Sequence, residues 1–130
     1  MKKLIFLFIS ITILVTFAWV DCSLFNKSIN NLTNELAELV VAIDDTTGQI
    51  NTFEITEKYD LLHSKWEKSE TDLIMFIDFI QLEQIGVGLA RVETYIEEND
   101  ITETKAEINA VKHLCEKLKK RTAFNFENIL

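Results

Sequence analysis

The first twenty residues constrain this chain more than any other stretch, because they hold an uncharged, strongly apolar run behind two lysines. Lys2 and Lys3 precede residues 4–20, and twelve of those seventeen residues are Leu, Ile, Phe or Val. Together the twelve favour membrane insertion by about 4 to 7 kcal/mol, more than the three hydroxyl residues of the run oppose it. As a helix the run is about 25 Å long, and Trp19 near its end suits the membrane interface. Residues 1–21 are therefore predicted to form a transmembrane or signal-anchor helix.

The charges on either side of this run predict its orientation. Basic residues before a span stay in the cytoplasm, so the N-terminus is expected inside and residues 22–130 outside the cell membrane, as one domain. Two alternatives stay open. The Thr-Phe-Ala triplet at 16–18 is acceptable as a signal-peptidase site, which would release a secreted domain, and Cys22 is a candidate for lipidation. Each alternative still exports the domain.

Composition beyond the apolar run predicts an all-α fold. The chain has no proline and only three glycines, with 48% hydrophobic residues, whereas turn-rich β architectures need frequent chain reversals. After residue 21 there are 11 Lys and Arg against 20 Asp and Glu, a balance of −9. A surface this acidic repels phosphate backbones, and no nucleic acid is therefore expected as a partner.

Apolar residues recur at helical spacing in four segments. The first continues from the membrane helix to a polar turn at 44–48, the second covers about 49–68, the third 71–98, and the last follows Asp100. Their apolar positions are Phe25, Ile29, Leu32, Leu36, Leu39 and Ile43; then Ile50, Phe53, Leu61, Leu62 and Trp66; then Met75, Leu82, Ile85, Leu89, Val92 and Ile96; then Ile101, Ile108, Val111, Cys115 and Leu118.

The predicted helix starts rest on two capping boxes. Ser69 with Asp72, and Asp100 with Glu103, have the spacing in which the side chains bond to the first free backbone N–H groups of a helix. Short connections make successive helices antiparallel neighbours. We therefore expect an antiparallel up-down-up-down four-helix bundle whose C-terminus returns to the membrane.

Several short motifs resemble those of the small membrane-anchored proteins grouped as domain-of-unknown-function family 4363, known chiefly from spore-forming Gram-positive bacteria. They are the lysine-led apolar anchor, Lys65-Trp66, Ile77-Asp78, Leu89-Ala90-Arg91 leading to Tyr95-Ile96, and the closing Glu127-Asn128-Ile129-Leu130. The resemblance covers nearly the whole chain. It implies a helical exported domain with a partner role, and it supplies no catalytic residue.

One polar pair is predicted inside the domain. Asp78 falls on the apolar stripe of the third segment and is expected to be at least partly buried, and a buried carboxylate needs a partner. With a reversal near residue 70, His63 lies at the matching height. The pair is expected to set helix register; a proton-linked or ligand-binding role is the alternative.

The last helix ends in basic and aromatic residues: Lys117, Lys119, Lys120, Arg121, Phe124 and Phe126. Cations are favoured at a helix C-terminus by the backbone dipole, which is the ordinary explanation. The bundle topology adds a second, contact with lipid or a neighbouring membrane protein beside the anchor.

The same topology brings Cys115 toward Cys22. A disulfide closing so long a loop could add roughly 4 to 5 kcal/mol in the chain-entropy model, although helix spacing makes its geometry demanding. The pair is a candidate disulfide, with two free thiols as the alternative.

No motif indicates catalysis or a cofactor. The levels expected for His63 and His113 differ by about 13 Å, too far for one metal ion, and Gly86-Val87-Gly88 lacks the strand and the Lys-Ser or Lys-Thr of a phosphate loop. The leading hypothesis is a non-enzymatic, membrane-anchored partner or accessory subunit of another membrane protein. The alternative is an exported ligand-sensing module with a pocket at Asp78 and His63.

Overall fold

The computed structural model describes residues 1–74 and 77–129, apart from the side chains of 21, 22 and 123–129, and every regular element in this part of the chain is an α-helix. The helices are α1 (Lys2–Asp44), α2 (Phe53–Leu73), α3 (Phe79–Glu97) and α4 (Ile101–Ile129). The predicted all-α class is confirmed.

α1 is one helix of 43 residues that changes character near its middle. Every side chain in residues 1–20 is exposed, and this half is long and apolar enough to cross a membrane by length and composition. The hydroxyls of Ser10, Thr12 and Thr16 donate to carbonyls one turn earlier, so the helix itself satisfies them. From Phe25 onward α1 is amphipathic, and all six predicted apolar positions are buried. The apolar half therefore continues without a break into the packed half.

The second half of α1 packs against α2 and α4, and α3 contacts both α2 and α4. Two polar pairs show how α1 and α4 run. Lys105 Nζ donates to Asp44 Oδ1 at 2.6 Å, and Lys119 Nζ donates to Asn30 Oδ1. From Asn30 to Asp44 the chain advances fourteen residues along α1, whereas their partners go back fourteen residues along α4, from Lys119 to Lys105. The two helices therefore run in opposite directions.

The hydrophobic core lies between the four helices. Besides the stripe of α1, it contains Ile50, Ile55, Tyr59, Leu62, Trp66, Leu73, Ile77, Leu82, Ile85, Leu89, Val92, Ile96, Ile108, Val111, Cys115 and Leu118. The described positions predicted for α3 are buried, as are those for α4 except Ile101, which is partly buried; Met75 lies outside the described residues. α2 differs from the prediction, since Phe53 and Leu61 are 83% and 59% exposed while Ile55 and Tyr59 are buried.

The boundary between α2 and α3 also differs from the predicted restart at Ser69. Ser69 lies within α2, and its hydroxyl donates to the Lys65 carbonyl at 3.0 Å. α2 continues to Leu73, and α3 begins at Phe79 with Asp78 as its N-cap. The reversal is thus displaced by several residues, which changes the register between the two helices.

The other two connections meet at what we term the distal end, remote from residues 1–20. In the connection between α1 and α2, Gly48 adopts φ +96°, a left-handed conformation that glycine accepts without strain. In the connection between α3 and α4, the Asp100 carboxylate accepts from Glu103 N–H at 3.1 Å, so α4 starts as predicted. Asn99, also left-handed at φ 57°, accepts from Ile50 N–H at 2.6 Å and donates to the Gly48 carbonyl at 3.3 Å. One amide therefore ties the two distal connections together.

α3 and α4 approach each other closely at Gly88. A Cβ atom added there would lie 2.5 Å from Val111 Cγ2, whereas one added at Gly86 would meet nothing within 4 Å. The sequence Gly86-Val87-Gly88 predicts close helix packing or a kink, and close packing is found at Gly88. Its missing side chain makes room for Val111.

Candidate functional site

A cleft of about 760 Å³ lies between the start of α3 and the later turns of α4, and we call it the α3–α4 cleft. Its lining residues are Asp78, Ile80, Gln81, Gln84, Leu114, Lys117, Leu118, Lys120 and Arg121. It lies at the basal end, defined as the end where α1 leaves the packed domain toward residue 20. Apolar, amide and cationic side chains therefore border one open groove.

Three of the four predicted basic residues, Lys117, Lys120 and Arg121, line this cleft. The fourth, Lys119, is half-buried and bonded to Asn30 of α1. The side chains of Phe124 and Phe126 lie outside the described residues. The structure thus brings together three of the cations, and α3 supplies the opposite wall.

One exposed apolar side chain, Ile80, lines the cleft, and two more lie near it in sequence. Ile74, Phe79 and Ile80, at the end of α2 and the start of α3, are 51%, 61% and 60% exposed. Sequence reasoning treated this stretch as helix interior and missed the exposure. The available signal was Asp78 followed three residues later by Gln81, the spacing of a helix start.

The predicted buried pair of Asp78 and His63 is wrong in this structure. Asp78 is exposed at the N-terminus of α3, where its carboxylate accepts from Ile80 N–H at 3.4 Å. His63 is half-buried, with its ring stacked on Tyr59 at 5.7 Å between centroids and Nδ1 3.8 Å from Glu67.

The displaced reversal between α2 and α3 explains the error. Tyr59 bonds to Leu89, so in the antiparallel pairing expected for successive helices His63 lies level with about Ile85. That level is seven residues, or about 10 Å, from Asp78. The pocket expected between the two side chains is therefore not formed by them.

The buried polar contact between α2 and α3 belongs to Tyr59 instead. Its hydroxyl donates to the Leu89 carbonyl at 2.7 Å inside the core. Burial, followed by the charges of Glu93, Asp60 and Glu67, raises the pKa of Tyr59 well above its ordinary value of 10. The phenol is therefore neutral and structural. Its signal in the sequence was the 4-3-4 spacing of Ile55, Tyr59, Leu62 and Trp66.

Cys115 is a free thiol, fully buried in the core. Burial raises the pKa of the Cys115 thiol to about 11, and a hydrogen bond with Thr33 of α1 lowers this pKa in part. The Cys22 side chain lies outside the described residues, so the disulfide stays a prediction. The register argues against it, because Thr33 is eleven residues along α1 from Cys22, about 16 Å of helix, while bridged cysteines have Cα atoms under about 7 Å apart.

The histidines and acidic residues do not converge. Among the described residues, no three His, Cys, Asp or Glu side chains lie close enough together to bind one metal ion. His113 is exposed on α4 and His63 stacks on Tyr59.

Comparison with known proteins gives one match. A family model described as Domain of unknown function (DUF4363) matches residues 23–129, which covers the second half of α1 and the rest of the helical domain. No curated protein and no solved structure matches the chain.

Proposed function

The chain belongs to the family described as Domain of unknown function (DUF4363), and we propose that it is a single-pass membrane protein whose helical domain stands outside the cytoplasm. The observation that carries the proposal is the division of α1. Residues 1–20 are exposed throughout and strongly apolar, while the same helix supplies the first side of the core from Phe25 onward. Lys2 and Lys3 at the start favour a cytoplasmic N-terminus.

In this proposal the domain is an antiparallel up-down-up-down bundle whose α4 returns toward the membrane. The opposite course of α1 and α4 at their polar contacts supports it. Glu35 of α1 also accepts from Lys65 of α2 at 2.7 Å, which fits a second helix running back from the distal end. The connection between α2 and α3 then faces the same way as the anchor.

We propose further that the domain acts as a non-enzymatic partner of another membrane protein. The two groups with the most shifted pKa, Tyr59 and Cys115, are both locked in the core and support packing rather than reaction. Because α1 runs from the span into the core without a break, the domain is held at a fixed height. Such a rigid link suits a subunit that must meet a neighbour at a defined distance from the bilayer.

A contact surface for such a neighbour is available along α1 and α2. Val41 and Leu61 are 60% and 59% exposed and border neighbouring parts of the groove between these helices, with Lys58 between them. Apolar side chains beside a charged rim are typical of protein contact surfaces. We expect the partner to cover this part of the groove.

Topology is tested with one added cysteine at a time in a Cys22→Ser background, in which the remaining native Cys115 is buried. A membrane-impermeant maleimide should label Glu98→Cys in intact cells, while Lys2→Cys should react only after permeabilisation. Protection of the distal cysteine in intact cells would reverse the proposed orientation. Recovery of a labelled, shortened chain in the medium would show cleavage and secretion instead of anchoring.

The partner role is tested by purification from detergent-solubilised membranes. A membrane protein that co-purifies with the native chain should be lost with Val41→Glu/Leu61→Glu, because two charges are placed in the proposed contact. The matched control, Thr94→Glu/Asn109→Glu, changes two exposed positions on α3 and α4 by the same charge. Equal retention of the partner by both double variants would rule out this contact surface.

A further inference from the structure

We propose that the α3–α4 cleft, which Ile80 lines, together with the exposed Ile74 and Phe79 near it in sequence, is a docking surface for anionic phospholipid of the membrane that holds the chain. This inference rests on the proposed anchoring and specifies what the basal end contacts.

The first argument is charge. Lys117, Lys120 and Arg121 line the cleft, and among the described residues that line it the one carboxylate is Asp78, which already accepts from Ile80 N–H. Glu83 and Glu116 are nearby in sequence and exposed, yet neither lines the cleft. On a chain of net charge −8, this is a local excess of positive charge. Lysine and arginine are the side chains that hold lipid phosphates.

The second argument is the apolar surface next to those cations. Leu114 and Leu118 form part of the cleft wall, and the exposed side chains of Phe79 and Ile80 stand at the start of the opposite helix. Cations adjoining exposed apolar side chains are the pattern of surfaces that lie in the headgroup layer, because the charges meet phosphates while the apolar groups enter the acyl boundary. A soluble anion would use the cations and leave the apolar groups in water.

The third argument is height. Lys119 contacts Asn30, so the basic turns of α4 lie ten residues along α1 from Val20, about 15 Å of helix. The apolar run is about 25 Å long in a hydrocarbon core of about 30 Å, so the core extends a few Å past Val20. A headgroup layer of about 5 to 7 Å and the length of a lysine side chain span the rest. The cleft therefore reaches the headgroups when the anchor is seated.

The test uses the full chain in lipid nanodiscs, with a Cys22→Ser background and an environment-sensitive fluorophore on Ile80→Cys. A quencher attached to lipid headgroups reports contact. We expect stronger quenching in phosphatidylcholine discs containing phosphatidylglycerol than in phosphatidylcholine alone, and a loss of that difference in high salt. Flotation with the discs separately confirms insertion, so failure of anchoring is told apart from failure of docking.

The decisive variant is Lys117→Gln/Lys120→Gln/Arg121→Gln, compared with Lys105→Gln/Lys112→Gln/Arg91→Gln, which removes the same charges farther from the basal end. Each basal cation should contribute about fivefold to the docked-to-undocked ratio. The basal variant should therefore lose the phosphatidylglycerol effect, and the control should keep it. Inserted chain whose quenching does not depend on phosphatidylglycerol, or equal loss in both variants, overturns the proposal. Quenching abolished by free inorganic phosphate would assign the cleft to a soluble anion instead.

Discussion

Gly88 offers a sharp test of the packing between α3 and α4. In Gly88→Ala the new methyl group would lie 2.5 Å from Val111 Cγ2, inside the distance that carbon atoms tolerate. Val111 is fully buried and β-branched in a helix, so it has almost no alternative rotamer with which to withdraw. One of the two helices must move, and overpacking of this kind costs about 1 to 3 kcal/mol.

Helix propensity acts in the opposite direction and must be subtracted. Replacing a mid-helix glycine by alanine gains about 1 kcal/mol. Gly86→Ala measures that gain alone, because a Cβ atom there meets nothing within 4 Å. We expect Gly86→Ala to raise the free energy of unfolding by about 1 kcal/mol and Gly88→Ala to change it by about 0 to −2 kcal/mol. The difference between the two variants, about 1 to 3 kcal/mol, isolates the steric term.

The assay is thermal or urea unfolding of the full chain in detergent, followed by helical circular dichroism. For a domain of this size 1 kcal/mol corresponds to about 4 to 8 °C in Tm. Val111→Ala supplies the coupling test, since Gly88→Ala/Val111→Ala should be more stable than the sum of the single changes predicts. If Gly88→Ala stabilises the domain as much as Gly86→Ala does, the helices are not in the contact described.

Three further predictions concern the polar side chains of Tyr59, Cys115 and Asn99. Tyr59→Phe removes the hydrogen bond to Leu89 and should cost about 0.5 to 1.5 kcal/mol near neutral pH. Because folding raises the pKa of Tyr59, its contribution to the free energy of unfolding is complete below pH 10 and falls as the pH rises further. In urea unfolding the native chain should therefore lose about 1.4 kcal/mol per pH unit above pH 10 relative to Tyr59→Phe. If the free energy of unfolding changes with pH in the same way for both proteins, this prediction is wrong. Because burial raises the pKa of Cys115 to about 11, the free energy of unfolding of the native chain should fall between pH 9 and 11 relative to that of Cys115→Ala. The thiol should react with a maleimide only after denaturation, and fast labelling of the folded chain would show that it is not buried. Asn99→Gly keeps the left-handed backbone but loses both side-chain hydrogen bonds, so it should be less stable by about 1 to 2 kcal/mol. Asn99→Ala should lose about 1 kcal/mol more, because alanine disfavours a left-handed backbone. Equal stability of these two variants would argue against φ 57° at this position.

Sequence periodicity predicted α1 well because burial there follows a single uninterrupted stripe. From Phe25 to Leu36 polar residues separate these apolar ones, so only one face can turn inward; in the apolar run 39–43 the stripe continues through Leu39 and Ile43 while Val41 is exposed. α2 was predicted less accurately because Phe53 and Leu61 are apolar but lie off its buried face. The buried face includes Tyr59, whose hydroxyl reaches the Leu89 carbonyl. The 4-3-4 spacing that runs from Ile55 to Trp66 marks the core positions of this helix, and the prediction missed its first two members, Ile55 and Tyr59.

The start of α3 was mispredicted because two cap signals compete within ten residues. Ser69 and Asp72 fit a capping box, but the Ser69 hydroxyl is satisfied by the Lys65 carbonyl inside a continuing helix. Asp78 with Gln81 fits the same spacing and caps the real start. Local chemistry alone does not choose between them. The choice is made by packing, since Leu73 and Ile77 are buried on either side of the reversal.

The overall acidity of the chain does not oppose docking of its basal end on an anionic membrane, because screening makes the charge effect local. At physiological salt the Debye length is about 8 Å. Asp44, at the distal end of α1, is 24 residues beyond Val20, or about 36 Å along the helix, which exceeds four Debye lengths. The distal carboxylates therefore contribute almost nothing to the potential at the bilayer surface. The charges that matter are those near the headgroups, where Lys117, Lys120 and Arg121 line the cleft. Removing distal acids should accordingly leave basal contact with lipid unchanged, whereas removing basal cations should weaken it.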